Sequence, residues 1–215
     1  MRTSLVLLGV FAFLAISVAA FAIPGDFSLT LEQGKNMICL PAVPLNPAPE
    51  DVFGTVPINA GQLKRWDAEG KGFQTYYDGN SGFGNMLLGD GYWITAGTPG
   101  QEIDYQGLTD TDSMDIWISL PKTGLNLIGN PFSFNYVWEN AKVTDGNETV
   151  SMYLASRPPR SWLSSIMPYW DAVGKGFLKV GLPDDNQWSE ELTPWTGYWL
   201  TSKIDKIALI LESPL

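Results

Sequence analysis

What most constrains this chain is that much of it is written twice. Trp66-Asp67-Ala68-Glu69-Gly70-Lys71-Gly72-Phe73 returns as Trp170-Asp171-Ala172-Val173-Gly174-Lys175-Gly176-Phe177, with one letter changed. The flanking landmarks keep the same order. Asn36-Met37-Ile38-Cys39-Leu40-Pro41 matches Asn126-Leu127-Ile128-Gly129-Asn130-Pro131, and Gly91-Tyr92-Trp93-Ile94-Thr95 matches Gly197-Tyr198-Trp199-Leu200-Thr201. Asn36 and Asn126 are 90 residues apart, Trp66 and Trp170 104, and Trp93 and Trp199 106. The second copy therefore carries the insertions, most of them between Pro131 and Trp170. Three landmarks in a fixed order specify an internal duplication. The chain divides into a copy at 23–109 and a copy at 110–215, matching over 27–109 and 115–213, with the polar Thr109–Ser113 as the join.

Both copies read as β. Phe27–Leu31, Asn36–Leu40, Leu63–Asp67, Phe73–Tyr77, Tyr92–Ala96 and Ile103–Tyr105 are short, rich in β-branched or aromatic residues, and bounded by Gly, Pro, Asn or Asp. The second copy offers Met114–Leu120, Asn126–Gly129, Pro168–Asp171, Phe177–Val180, Tyr198–Thr201 and Ile207–Leu211. Helical periodicity is confined to single turns near Pro49–Phe53 and Val137–Ala141. The predicted fold is mainly β: two tandem antiparallel modules, sandwich- or barrel-like, with at most short helical turns. The repeated W-D-A-x-G-K-G-F is then a hairpin corner, with Gly70, Gly72, Gly174 and Gly176 supplying positive φ. It is no phosphate loop, which needs Ser or Thr after the Lys at a strand-to-helix junction. Trp66, Trp170, Trp93 and Trp199, needed by both copies, are predicted to fill cores or corners.

Met1–Ala22 has a basic start at Arg2, an uncharged apolar run and a small-x-small end at Ala20-Phe21-Ala22. This reads as a secretory signal peptide cleaved before Ile23. The chain has net charge −10, and loss of Arg2 makes the remainder −11. So acidic a protein repels phosphate backbones, which argues against nucleic-acid partners; after cleavage no membrane insertion is expected. A single cysteine, Cys39, allows no internal disulfide, and its apolar setting predicts a buried, inert thiol.

Gly124-Leu125-Asn126-Leu127-Ile128-Gly129-Asn130-Pro131-Phe132 and Pro194-Trp195-Thr196-Gly197-Tyr198-Trp199 carry a resemblance. The pattern is similar to the G-W-N-L-(I/V)-(S/G)-x-P … G-Y-W repeat module of secreted and cell-surface bacterial proteins, present here in two copies. Gly34–Pro41 and Gly89–Trp93 carry the same likeness in the first copy. Both copies depart at the first Trp of the motif, which is Lys35 in one and Leu125 in the other. The resemblance implies a mainly β module at the cell exterior with no catalytic residues.

The chain has no His, which excludes Ser-His-Asp and Cys-His mechanisms. Asp67 and Asp171 are the carboxylates a glycoside hydrolase would pair, but Asp at a hairpin corner commonly caps the turn. No cofactor or metal is expected. Calcium has candidate carboxylates in Asp110–Asp115 and Pro183–Asn186, yet neither segment has the Gly and bidentate Glu of an EF-hand loop. Trp138, Trp162 and Trp188 have no counterpart in the first copy and are the candidates for stacking on sugar rings; filling a larger second core is their alternative. Ile23, Phe27, Leu29 and Leu31 are the candidates for strand addition to a neighbouring subunit, or else form the first strand of their own module. The sequence thus points to a non-catalytic extracellular protein. A structural or self-assembling surface subunit, partnered by itself or other surface proteins, comes first. Polysaccharide binding comes second and a hydrolase third.

Overall fold

The computed structural model describes residues 23–77, 82–183 and 189–213. The signal-peptide reading of 1–22, the site candidate Trp188 and Asp184–Asn186 of the calcium candidate lie outside the described residues. The fold is mainly β and antiparallel, built as two modules. The first contains β1 (Pro24–Leu31), β2 (Gly34–Cys39), α1 (Pro49–Phe53), β3 (Ala60–Asp67), β4 (Gly72–Tyr77), β5 (Gly91–Ala96) and β6 (Gln101–Leu108). The second contains β7 (Ile116–Leu120), β8 (Gly124–Gly129), β9 (Tyr136–Val137), β10 (Lys142–Thr144), β11 (Thr149–Ser151), α2 (Met152–Ser156), β12 (Met167–Asp171), β13 (Gly176–Val180), β14 (Glu191–Leu192), β15 (Gly197–Ser202) and β16 (Ile207–Leu211).

The pairing repeats as the sequence does. β1 pairs with β6 as β7 pairs with β16, and β2 with β5 as β8 with β15. Registers agree residue for residue, Met37 facing Trp93 where Leu127 faces Trp199, and Trp66 facing Phe73 where Trp170 faces Phe177. Side chains alternate across a strand. In β5 this sends Tyr92 and Ile94 into the first core and leaves Trp93 and Thr95 on the other face. Buried side chains gather into one cluster from Leu31 to Tyr105 and another from Ile118 to Leu211. Among the described residues, no helix is long and apolar enough to cross a membrane.

Pro49–Phe53 is helical as its sequence predicts, whereas Val137–Ala141 yields only a 3-10 turn at Trp138–Asn140. The insertion also builds α2, started by the Ser151 hydroxyl accepting from Leu154 N–H at 3.4 Å, and the short strands β9, β10 and β11, with β14 pairing back onto β9. The join at Thr109–Ser113 is a 3-10 turn tied into the protein rather than a solvated linker. Thr111 is buried and its hydroxyl donates to the Leu108 carbonyl at 2.8 Å, while Asp112 accepts from Ser133 N–H at 2.8 Å.

One local expectation needs correction. Positive φ in the hairpin corners falls on Lys71 (52°) and Lys175 (55°), not on the glycines beside them. Asp67 Oδ1 accepts from the N–H groups of Glu69 and Gly70, both at 3.0 Å, and Asp171 Oδ1 from Val173 N–H at 3.0 Å. A Cβ on Gly70 would stand 2.6 Å from an Asp67 carboxylate oxygen, and one on Gly174 2.4 Å from Asp171. Those glycines are required for the close approach of the capping aspartate. Of the two alternatives left open for Phe27–Leu31, the segment forms the first strand of its own module. β1 pairs with β6 along all of Pro24–Leu31; Leu31 is in the first core, Phe27 stacks on Tyr105 at 5.5 Å, Leu29 packs beside them, and Ile23 is left exposed. One edge of the strand is paired within its own module, and among the described residues β6 is its sole neighbour in a two-stranded sheet.

Candidate functional site

The repeat motifs meet at the seam between the copies, and they meet reciprocally. Trp66 Nε1–H donates to the Leu125 carbonyl at 2.6 Å, and Trp170 Nε1–H to the Lys35 carbonyl at 2.8 Å. Cys39 N–H donates to the Trp195 carbonyl at 3.1 Å, and Gly129 N–H to the Gly89 carbonyl at 2.9 Å. Ile38 bridges to Thr196 as Ile128 bridges to Asp90. Each of these contacts has its partner with the two copies exchanged, which is the signature of an internal pseudo-twofold axis. Lys35 and Leu125 are the positions where both copies depart from the G-W-N-L motif. Their backbone carbonyls receive the indole N–H of the opposite copy.

The approach is closest where Cys39 faces Gly129. A Cβ on Gly129 would lie 1.9 Å from that of Cys39. The Cys39 thiol is fully buried there, and burial pushes its pKa far up, so it is held neutral. Each buried tyrosine pins the turn five residues before it: Leu87 N–H donates to Tyr92 Oη at 2.6 Å, and Thr193 N–H to Tyr198 Oη at 2.8 Å.

The repeated tryptophans are not core residues. The alternation that buries Tyr92 and Tyr198 turns Trp93 and Trp199 to the other face, where the opposite copy half covers them. Trp66 lies edge-on to Trp199 with centroids 5.3 Å apart, and Trp93 lies 6.0 Å from Trp170. Phe73 and Phe177 extend the two ring groups outward, at 5.2 Å from Trp66 and 5.3 Å from Trp170. Between the groups is an open cleft of about 330 Å³, lined by Phe73, Trp93, Phe177 and Trp199 with Lys35, Gln62, Lys64 and Thr95. Phe73 is 46% and Phe177 55% exposed, large for phenylalanine on a folded surface. Period-2 alternation was the signal that could have found this face: once the Tyr of G-Y-W is inside, its Trp is outside.

The other aromatic candidates lie elsewhere. Trp138 is 0% and Trp162 8% exposed, both within the second core; Trp138 Nε1–H donates to the Ser165 carbonyl at 3.1 Å and the Arg160 guanidinium caps the Trp162 ring at 5.9 Å. Neither offers a ring face to a ligand. The inserted residues build a larger core and these rings fill it. Among the described residues no cluster of His, Cys, Asp or Glu is placed to hold a metal ion.

No family model matches the chain, and no curated protein or solved structure matches it. Function must therefore be argued from the seam itself.

A second, smaller cleft of about 240 Å³ opens beside the seam on the first copy's side, lined by Arg65, Asp67, Glu69, Asp90 and Asn126 among others. Here the copies differ: Arg65 and Asp90 stand where the second copy has Tyr169 and Thr196. Arg65 Nη2 is 3.8 Å from Asp90 Oδ2, and Arg65 Nη1 donates to the Phe83 carbonyl at 2.9 Å. Desolvation pushes the Asp90 carboxyl up to about 6, and Arg65 only partly offsets it. With the folded value above the unfolded one of about 4, the proton binds more tightly to the folded state. The associated stability is full below pH ~4 and lost as pH rises through ~6. A third of the side chain is still wet (34%), so water screening leaves about 1 kcal/mol. Urea midpoints taken across this range are expected to show a decline of that size in the wild type that is missing in Asp90→Asn.

Proposed function

We propose that the chain is an exported, non-catalytic protein whose working surface is the aromatic cleft on its pseudo-twofold axis, and that this surface binds a polysaccharide. The supporting observation is the exposure of Phe73 and Phe177 beside the half-covered Trp93 and Trp199. Flat aromatic faces attract the C–H faces of sugar rings, and neighbouring polar groups fix orientation. Thr95, Gln62, Lys35 and Lys64 supply those groups on one flank. Asp67 and Asp171 do not face each other across this cleft: each is committed to capping its own corner, which supports the non-catalytic reading.

The test is affinity electrophoresis through a panel of soluble polysaccharides. Retardation by at least one polymer is expected, with Phe73→Ala/Phe177→Ala losing it at least tenfold while far-UV circular dichroism is unchanged, because both rings are on the surface. A surface or filament subunit is the second reading, favoured by β7, an edge strand carrying the 62% exposed Trp117. Mobility unaffected by any sugar, together with light scattering that grows with concentration and falls in Trp117→Ser, would replace the first reading by the second.

A further inference from the structure

The aromatic cleft has a charge that the rest of the chain does not share. The protein has 23 Asp and Glu against 13 Lys and Arg, yet the charged residues lining the cleft are Lys35 and Lys64 alone. Alternation explains how the acids are kept away. On β2, β3, β4 and β5 the face that carries Trp66, Phe73 and Trp93 also carries Lys35, Met37, Gln62, Lys64, Thr75 and Thr95, and no acid. Asp67 turns to the opposite face and caps its corner. Among the described residues neither lysine has a carboxylate within ion-pair distance, and both ammonium groups are exposed.

The charge is also one-sided. Lys35 and Lys64 have Leu125 and Pro168 as counterparts in the second copy, so the second copy lines the cleft with Phe177 and Trp199 only. The cleft lining is thus apolar on one flank and carries two cations with hydrogen-bonding groups on the other, Lys179 standing farther along the face of Phe177.

We infer that the cleft selects a carboxylate-bearing glycan, a polyuronate, over a neutral one. The inference rests on the glycan-binding reading above. A uronate unit meets both demands at once. Its C–H face stacks on an aromatic ring, and its ring-borne carboxylate reaches the lysine flank. A neutral sugar leaves the cations without a partner, and an acidic peptide has no flat C–H face for the four rings. Long-range repulsion works against an anionic polymer, since the net charge is −10. Selection must therefore come from the local pair of cations, which act within a Debye length of about 8–10 Å.

The experiment is calorimetric titration of the purified protein with hexamers of α-1,4-galacturonate and β-1,4-mannuronate, each against its carboxyl-reduced counterpart, at low and at physiological ionic strength. At least one uronate is expected to bind about tenfold tighter than its reduced form at low ionic strength, the size of two exposed ion pairs, with the preference shrinking as salt is added. Lys35→Gln/Lys64→Gln is expected to abolish the preference, so that acidic and reduced forms bind alike, and both sites are exposed enough to leave the fold intact. Equal binding of acidic and reduced forms overturns the inference and leaves the glycan reading standing. Binding of neither overturns both. A poly-glutamate peptide that binds as tightly as the uronate overturns the sugar assignment.

Discussion

Gly129→Ala is expected to be the most damaging single-methyl change in the protein, costing about 4 kcal/mol or more, beyond the usual range for an overpacked core. The new Cβ would stand 1.9 Å from Cys39 Cβ and 2.3 Å from its Sγ. Neither strand can retreat, because hydrogen bonds from Cys39 N–H to Trp195 and from Gly129 N–H to Gly89 lock both across the seam. A compensating change follows from the axis. Cys39 and Gly129 occupy the same motif position, and the seam has room for one side chain between them. Cys39→Gly/Gly129→Ala moves that side chain across and is expected to recover most of the loss. Urea unfolding followed by tryptophan fluorescence measures both; a Gly129→Ala cost under about 1 kcal/mol would mean that the seam yields easily.

Trp66→Ala/Trp170→Ala should change not only how stable the protein is but how it unfolds. Each indole donates across the seam and meets a tryptophan of the opposite copy, Trp199 or Trp93. Truncating a fully buried Trp costs about 3–5 kcal/mol; these rings are half covered, so about 2 kcal/mol each is expected. The two buried clusters are otherwise contributed by separate stretches, with Trp195 of the second copy packed against the first cluster. The wild type is expected to unfold in one cooperative transition in scanning calorimetry, the variant lacking both indoles in two, and each single variant to resemble the other. Retention of one sharp transition in the double variant would show that coupling lies in the backbone pairing rather than in the rings.

The strands were readable because each carries its own local evidence. Gly91-Tyr92-Trp93-Ile94-Thr95 announces a strand by composition and its inward face by alternation. The corner of W-D-A-x-G-K-G-F was readable for the same reason, although its strained residue was not. Lys71 takes the positive φ because Gly70 is already needed to let the Asp67 carboxylate approach. That trade depends on three-dimensional proximity. The short strands of the insertion were illegible because two or three residues, as in Tyr136–Val137, hold no period. Tyr136–Val137 is a strand only because Glu191–Leu192 returns beside it, and β10 and β11 only because they pair with each other and with β16. The seam was half legible: repetition identified Trp66 and Trp170 as important, but nothing local says that their partners are Leu125 and Lys35, 59 and 135 residues away. For the unrepeated Trp138 and Trp162 the sequence left two readings, stacking on sugars or filling a larger second core, and the insertion proved to have that core.

A surface that meets itself through matched donors and acceptors is the contact of a twofold homodimer, here enclosed in one polypeptide. A lone module would carry both halves of that contact, the indole donor and the carbonyl it seeks. Two identical modules, however, would each need glycine where Cys39 and Gly129 now differ, since the seam admits one side chain there. Fusion removes this demand for sameness. It let one half take Cys39, Arg65, Asp90 and the two lysines while the other kept Gly129, Tyr169, Thr196, Leu125 and Pro168. A symmetric pair presents the same face to a polymer whichever way the polymer runs, whereas the fused chain has a head and a tail.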